Sequence, residues 1–200
     1  MIGGTNAKLP VGDIVCAHLR GGGELGKRWA VAGRGPLGGN ALGDLRAVLR
    51  QEHGRHQVSL LGTPHGGRLA LLAAMLDPGL VERVCVTSPI THLRAYLASR
   101  LGQKHRVEFP DDDDLDAYDP ISTIARCDRG PLPQLMTICG AVDSTVTGQK
   151  PEEFAKRWRK AGGSCDIVWH AGGHYAPSAL EIERVEQAQA SFLGLVAPRI

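Results

Sequence analysis

The chain has 200 residues, enough for one domain with a buried core, and its 42% hydrophobic and 22% charged residues exclude wholesale disorder. Its 23 basic residues against 21 acidic ones leave a net charge of +2, too small for the basic field that drives nucleic-acid or membrane-surface binding. Aromatic residues are few, at 4%, while glycine is frequent, at 26 residues, so tight turns or close backbone approaches are expected.

Met1-Ile2-Gly3-Gly4-Thr5-Asn6 carries neither the basic nor the apolar region of a signal peptide. Five short apolar runs follow: Ile14 to Leu19, Val58 to Leu61, Val84 to Thr87, Leu135 to Cys139 and Asp166 to Trp169. Each is nearly continuous rather than alternating, the pattern of a strand buried on both faces. Helical stretches intervene at Gly43 to Gln51, His65 to Leu76, Glu152 to Ala161 and Ala179 to Leu195. This alternation predicts an α/β fold of about five mostly parallel strands with helices on both faces. The helix from His65 is apolar almost all round and is expected to be buried, with Asp77-Pro78-Gly79 stopping it. The last helix is expected to bury Leu180, Ile182, Val185, Ala188, Phe192 and Leu195. Asp111 to Asp114 lacks the spacing and glycine of a calcium loop and reads as a solvated turn.

No run of about 18 apolar residues occurs, so no membrane span is expected. The five cysteines, Cys16, Cys85, Cys127, Cys139 and Cys165, form no C-x-x-C pair, and four sit in apolar runs. Buried thiols in a reducing, cytoplasmic compartment are the simplest reading. The eight histidines show no metal-ligand spacing, so neither a metal nor a cofactor is expected.

Gly62-Thr63-Pro64-His65-Gly66-Gly67 lies between a predicted buried strand and a predicted buried helix. It has the frame of the nucleophile elbow, G-x-S-x-G, of α/β-hydrolases, with Pro64 at the serine position. Proline brings no hydroxyl, so no acyl-enzyme can form there. It also fixes φ near −65°, so an ordinary strand exit is expected, with Thr63 as N-cap and Pro64 as first helical residue. The His65 amide stays where the elbow supplies an oxyanion donor, and its ring is a candidate for proton transfer. A plain strand-to-helix turn is the other reading of residues 62–67.

The remaining motifs fall in the order of one family. His18-Leu19-Arg20-Gly21-Gly22-Gly23-Glu24-Leu25-Gly26 with Trp29 resembles the R-G-G-G-E-Y-G-x-x-W segment of the prolyl oligopeptidase family, and Asn40 and Asp44 resemble polar residues in its next helix. Tyr118-Asp119-Pro120-Ile121 is similar to the family's Y-S-P stretch. Gly140-Ala141-Val142-Asp143-Ser144-Thr145-Val146 is similar to its G-x-x-D-D-x-V segment, and Ala171-Gly172-Gly173-His174 to its A-G-H segment. The resemblance covers about residues 14–197 of a single domain spanning 1–200. It implies that Asp143 is the triad acid and His174 the base, in the hydrolase order Ser…Asp…His. It also implies a peptide or small acyl-type substrate.

The departures define the expectation. Pro64 replaces the nucleophile, and Ser144-Thr145 replaces an Asp-Arg whose Arg binds substrate. The family's β-propeller and first sheet strands have no counterpart in the sequence, with at most Met1 to Asn6 retaining the end of an early loop. The reading is a degenerate serine hydrolase domain, a pseudoenzyme. Two alternatives are a non-hydrolytic enzyme working by proton abstraction with His174 and Asp143, and a residual peptidase or esterase. A homo- or hetero-oligomer completing the sheet is a further expectation, because the strand that normally separates the runs at Ile14 and Val58 is missing.

Overall fold

A computed structural model of the chain describes residues 14–127 and 130–195. In chain order it forms α1 (Lys27–Val31), α2 (Gly39–His53), β1 (Ser59–Gly62), α3 (Pro64–Leu76), β2 (Arg83–Thr87), α4 (Leu93–Leu97) and α5 (Arg100–Lys104). It continues through α6 (Pro120–Ile124), β3 (Gln134–Gly140), α7 (Pro151–Lys160), β4 (Cys165–His170) and α8 (Ala179–Phe192). The four strands are parallel in the order β1-β2-β3-β4. Each crossover carries at least one helix, as parallel pairing demands.

Side chains alternate across the sheet. Val84, Val86 and Leu135 face α2, α3 and α7, and join Leu69 to Met75, Leu45, Leu49, Phe154 and Trp158 in the main core. Cys85 and Ile138 face the other way, against Val185 of α8. α3 is buried from Gly67 to Met75, which is why its sequence shows no polar stripe. It ends at Asp77, whose carboxylate pairs with Arg46 and Arg50 of α2. The segment between β2 and β3 builds a second, smaller core from Ile90, Leu93, Tyr96, Leu97, Phe109 and Leu115, closed by Val146 from the loop after β3.

Two expectations are corrected. The apolar run from Ile14 to Leu19 forms no strand, and Ile14, Val15 and Cys16 are exposed. The Leu19 carbonyl instead accepts from Trp29 Nε1 at 2.8 Å and from the Gly22 amide at 3.1 Å, which turns the chain into the glycine loop. Along α8, Val185 is buried, while Leu180 and Ile182 are exposed. The helix meets the sheet through Val185, Gln189 and Phe192, an i, i+4, i+7 row narrower than the sequence pattern implied.

Candidate functional site

The site is built where strands end. β1 runs into residues 62–64 and then α3. A Cβ added at Gly62 would lie 2.7 Å from the Gly67 nitrogen, so only glycine lets strand and helix approach this closely. Thr63 is extended (φ −113°, ψ 169°) and Pro64 opens the helix. The Thr63 carbonyl accepts the first helical bond, from the Gly67 amide at 2.6 Å, but its hydroxyl caps nothing. Among the described residues Ser88 is the lone non-glycine with positive φ, so the turn at Pro64 is relaxed, as the ring of proline requires. The amides of His65 and Gly66 have no acceptor among the described residues.

β3 ends at Gly140 and delivers Asp143; β4 ends at His170 and delivers His174. These two predicted residues meet, with His174 Nδ1 2.9 Å from Asp143 Oδ2. The other carboxylate oxygen accepts from the amides of Thr145 at 2.7 Å and Val146 at 3.1 Å. Burial pushes the Asp143 carboxyl up, but the bonds from His174, Thr145 and Val146 outweigh it, and its pKa lies below the ordinary value. The carboxylate therefore holds the proton of His174 on Nδ1 and leaves Nε2 as the lone-pair nitrogen. The arrangement depends on Gly140: a Cβ there would collide with the Gly173 carbonyl.

The elbow and the histidine loop are joined through residues 88–90. The Ser88 hydroxyl donates to the His174 carbonyl at 3.3 Å, and the Ile90 amide donates to the Pro64 carbonyl at 3.3 Å. Ser88 is buried and left-handed, with φ 46°. Strained residues of this kind persist where the surroundings fix them and cluster at functional sites. Gln149 ties the same segment to the Asp143 loop. Its carbonyl oxygen accepts from the amides of Thr91 and His92 at 2.7 Å, and its amide donates to the carbonyls of His92 and Thr147. A cavity of about 220 Å³ opens here, lined by Ser88, Thr91, Cys139, Asp143, Gln149 and Trp169. A larger one, about 440 Å³, lies between α2, α3 and α6 and holds none of the predicted site residues.

His65 has company that its sequence position did not announce. Its Nε2 lies 3.2 Å from Nη2 of Arg68, and its ring is tilted against Phe109, with 5.5 Å between the centroids. Arg68 is 2% exposed, donates to the Tyr118 carbonyl at 2.9 Å and lies over the Phe109 ring. Crowding by protein, then the charge of Arg68 and that of His105, push the His65 pKa down to about 3, although part of the residue stays open to solvent. His65 is therefore a poor base at neutral pH. Arg68 escaped the sequence reading; the signal was there, as the one charged residue in the apolar helix from Gly66 to Leu76.

The remaining motif residues make contacts within the fold. Arg20 and Asp44 form a two-pronged ion pair, with Nε to Oδ2 at 2.8 Å and Nη2 to Oδ1 at 2.5 Å. Asn40 donates to the Ala32 carbonyl, and Glu24 lies 3.9 Å from His18. Asp119 is wholly buried, accepting from the amides of Leu93 and Ile121. Among the described residues no group of three or more His, Cys, Asp or Glu is placed to hold a metal ion. Nor is any described helix long and apolar enough to cross a membrane.

The sheet, the elbow frame and the His174–Asp143 pair can be set beside known proteins. The prolyl oligopeptidase family model matches residues 12–196. The chain belongs to the prolyl oligopeptidase family. Among solved structures, oligopeptidase B from Leishmania major gives a TM-score of 0.77 at 20% identity, over 88% of this chain and 27% of that one. Oligopeptidase B from Trypanosoma brucei gives 0.75 at 22%, over 90% and 28%. One of two prolyl endopeptidases studied for inter-domain dynamics gives 0.74 at 22%, over 89% and 29%. These likenesses concern the fold. The chain spans less than a third of each of those proteins. A comparison with curated proteins gives no match.

Proposed function

We propose that this domain keeps the ligand-binding frame of a prolyl-oligopeptidase-like hydrolase and lacks serine hydrolase chemistry. The observation that carries this is Pro64, which stands at the nucleophile position in a relaxed turn and has no hydroxyl to acylate. The neighbouring hydroxyls do not replace it: the Ser88 hydroxyl is already committed to the His174 carbonyl, and Thr63 sits one residue early. A peptide or small acyl-type compound is the ligand class that the family implies. Assembly with a second chain along the exposed edge of β1, where Leu61 is 60% exposed, and a cytoplasmic setting belong to the same proposal. The test is to expose purified wild-type protein to a fluorophosphonate probe and to peptide and ester substrates. No labelling and no turnover above a His174→Ala control are expected. Stoichiometric labelling of wild type would overturn the reading.

The intact His174–Asp143 pair favours one second reading. With Nδ1 bound to Asp143, His174 Nε2 is a general base able to take a proton from a carbon beside a carbonyl and to return it. Incorporation of solvent deuterium into a peptide, lost in His174→Ala, would support this; no exchange would remove it.

A further inference from the structure

The two free edges of the sheet differ. A strand residue presents its N–H and C=O to one side, and successive residues present theirs to opposite sides. The Leu135 and Ala141 amides donate to the carbonyls of Ser164 and His170, so even-numbered residues of β4 face β3, and Cys165 and Trp169 face outward. Arginines close that edge: Arg159 of α7 donates to the Cys165 carbonyl, and Arg184 of α8 to the Trp169 carbonyl. Asp166 adds an exposed charge in the same strand. Covered backbone groups and charges are what keep natural sheet edges from pairing.

β1 has neither. The Val58 carbonyl accepts from the Glu82 amide on the side of β2, so Ser59 and Leu61 turn their backbone groups outward. Those groups have no partner among the described residues. Gln57 to Gly62 carries no charge and no proline. Leu61 is 60% exposed, and the layer under α8 is built from residues of β2, β3 and β4 and none of β1. A strand-forming segment is unpaired as well. Ile14 and Val15 are β-branched and 68% and 57% exposed. The backbone of residues 14–18 has no hydrogen-bond partner among the described residues. This run leaves from a fixed point, since Trp29 and Gly22 hold the Leu19 carbonyl and Asp44 holds the Arg20 amide. One chain thus carries an open edge and an unused strand, and the two are not joined to each other.

We propose that two copies of this chain assemble by reciprocal strand addition, with the run from Ile14 to His18 of each copy pairing along the outer edge of β1 of the other. This rests on the reading that β1 is an assembly edge, and it names the partner as a second copy. The exchange is isologous, so one twofold contact satisfies both open edges and both runs and then closes. Main-chain bonds to Ser59 and Leu61 supply the pairing, as in other strand additions. Apolar surface of Ile14, Val15 and Leu61 leaves water in the same contact. The edge itself is uncharged, and a net charge of +2 gives two copies little mutual repulsion.

The test is light scattering of the full chain, joined to crosslinking through Cys16, which lies exposed in the middle of the run. Wild type is expected at twice 21.3 kDa. Leu61→Pro removes an outward N–H and no bond to β2, and should weaken the dimer by about tenfold or more. Leu61→Lys tests the same edge should the proline variant fail to fold, and Val15→Lys tests the run. With a short bismaleimide, Ser59→Cys or Leu61→Cys should crosslink to Cys16 of the other copy, giving a dimer band that Cys16→Ser abolishes. A crosslink within one chain, or assemblies larger than a dimer, would overturn the proposal. So would a dimer that Leu61→Lys dissociates but Val15→Lys leaves intact without any crosslink to Cys16; the assembly edge would then stand with a different occupant. A wild-type monomer, or a dimer indifferent to both Leu61 variants, would sink the assembly edge itself.

Discussion

Gly140→Ala tests whether the site is held by backbone contact. Alanine usually stabilises a glycine position by about 0.4–1 kcal/mol where the backbone permits it. Gly140 lies in β3 with no positive φ, so its dihedrals permit alanine. Space does not. The new Cβ would collide with the Gly173 carbonyl and lie 2.7 Å from the Gly172 oxygen, and both are backbone atoms of the loop that carries His174. That loop must move away from β3, and forced overpacking of this kind costs about 1–3 kcal/mol. For a chain of this size the melting temperature should fall by about 2–12 °C. Displacement of the loop also lengthens the 2.9 Å bond from His174 to Asp143. The imidazole proton of that bond should be visible by proton NMR in wild type and lost to exchange in the variant. A variant with unchanged melting temperature and an unchanged imidazole proton would refute this role of Gly140.

Three further outcomes follow from other contacts. Ser88→Ala removes the hydroxyl that holds the His174 carbonyl and should cost about 1 kcal/mol in urea unfolding. Ser88→Gly also removes the hydroxyl but relieves φ 46°, so it should be more stable than Ser88→Ala by about 1 kcal/mol, and an inverted order would deny the strain. Hydrogen bonds from Arg46 hold the Asp77 carboxyl below its ordinary pKa. A depressed folded pKa contributes stability that is present above the unfolded value of about 3.9 and is lost as pH falls through the folded one. Asp77→Asn should therefore flatten the decline of stability with acid, and a variant whose decline matches wild type would remove Asp77 from that role.

The parallel sheet was legible because buried strands leave continuous apolar runs, and four of five became strands. The run from Ile14 to Leu19 did not, because a strand is made by a neighbour, and hydrophobicity does not report whether one exists. Its last carbonyl turns instead to Trp29 and Gly22. α1, α4, α5 and α6 went unread since a five-residue helix is little longer than one turn and shows no repeating apolar pattern. The pairing of His174 with Asp143 was legible through the family resemblance and the sheet order. The Arg68–His65 contact was not, since helical spacing of three puts two residues on one face without saying that either is buried. The strain at Ser88 was not legible, because a backbone torsion leaves no mark in a sequence.

On the proposed function, the frame of the hydrolase site persists and proline alone silences it. Pro64→Ser restores the hydroxyl at the head of α3, on the turn where Gly62 gives the close approach and beside the free His65 amide. The decisive measurement is labelling of wild type and of Pro64→Ser by a fluorophosphonate, with circular dichroism confirming that both fold. No label is predicted on wild type. Stoichiometric label is predicted on the folded Pro64→Ser variant, at position 64, and is lost again when His174 is also changed to alanine. Label on wild type, or none on a folded variant, would contradict the proposal.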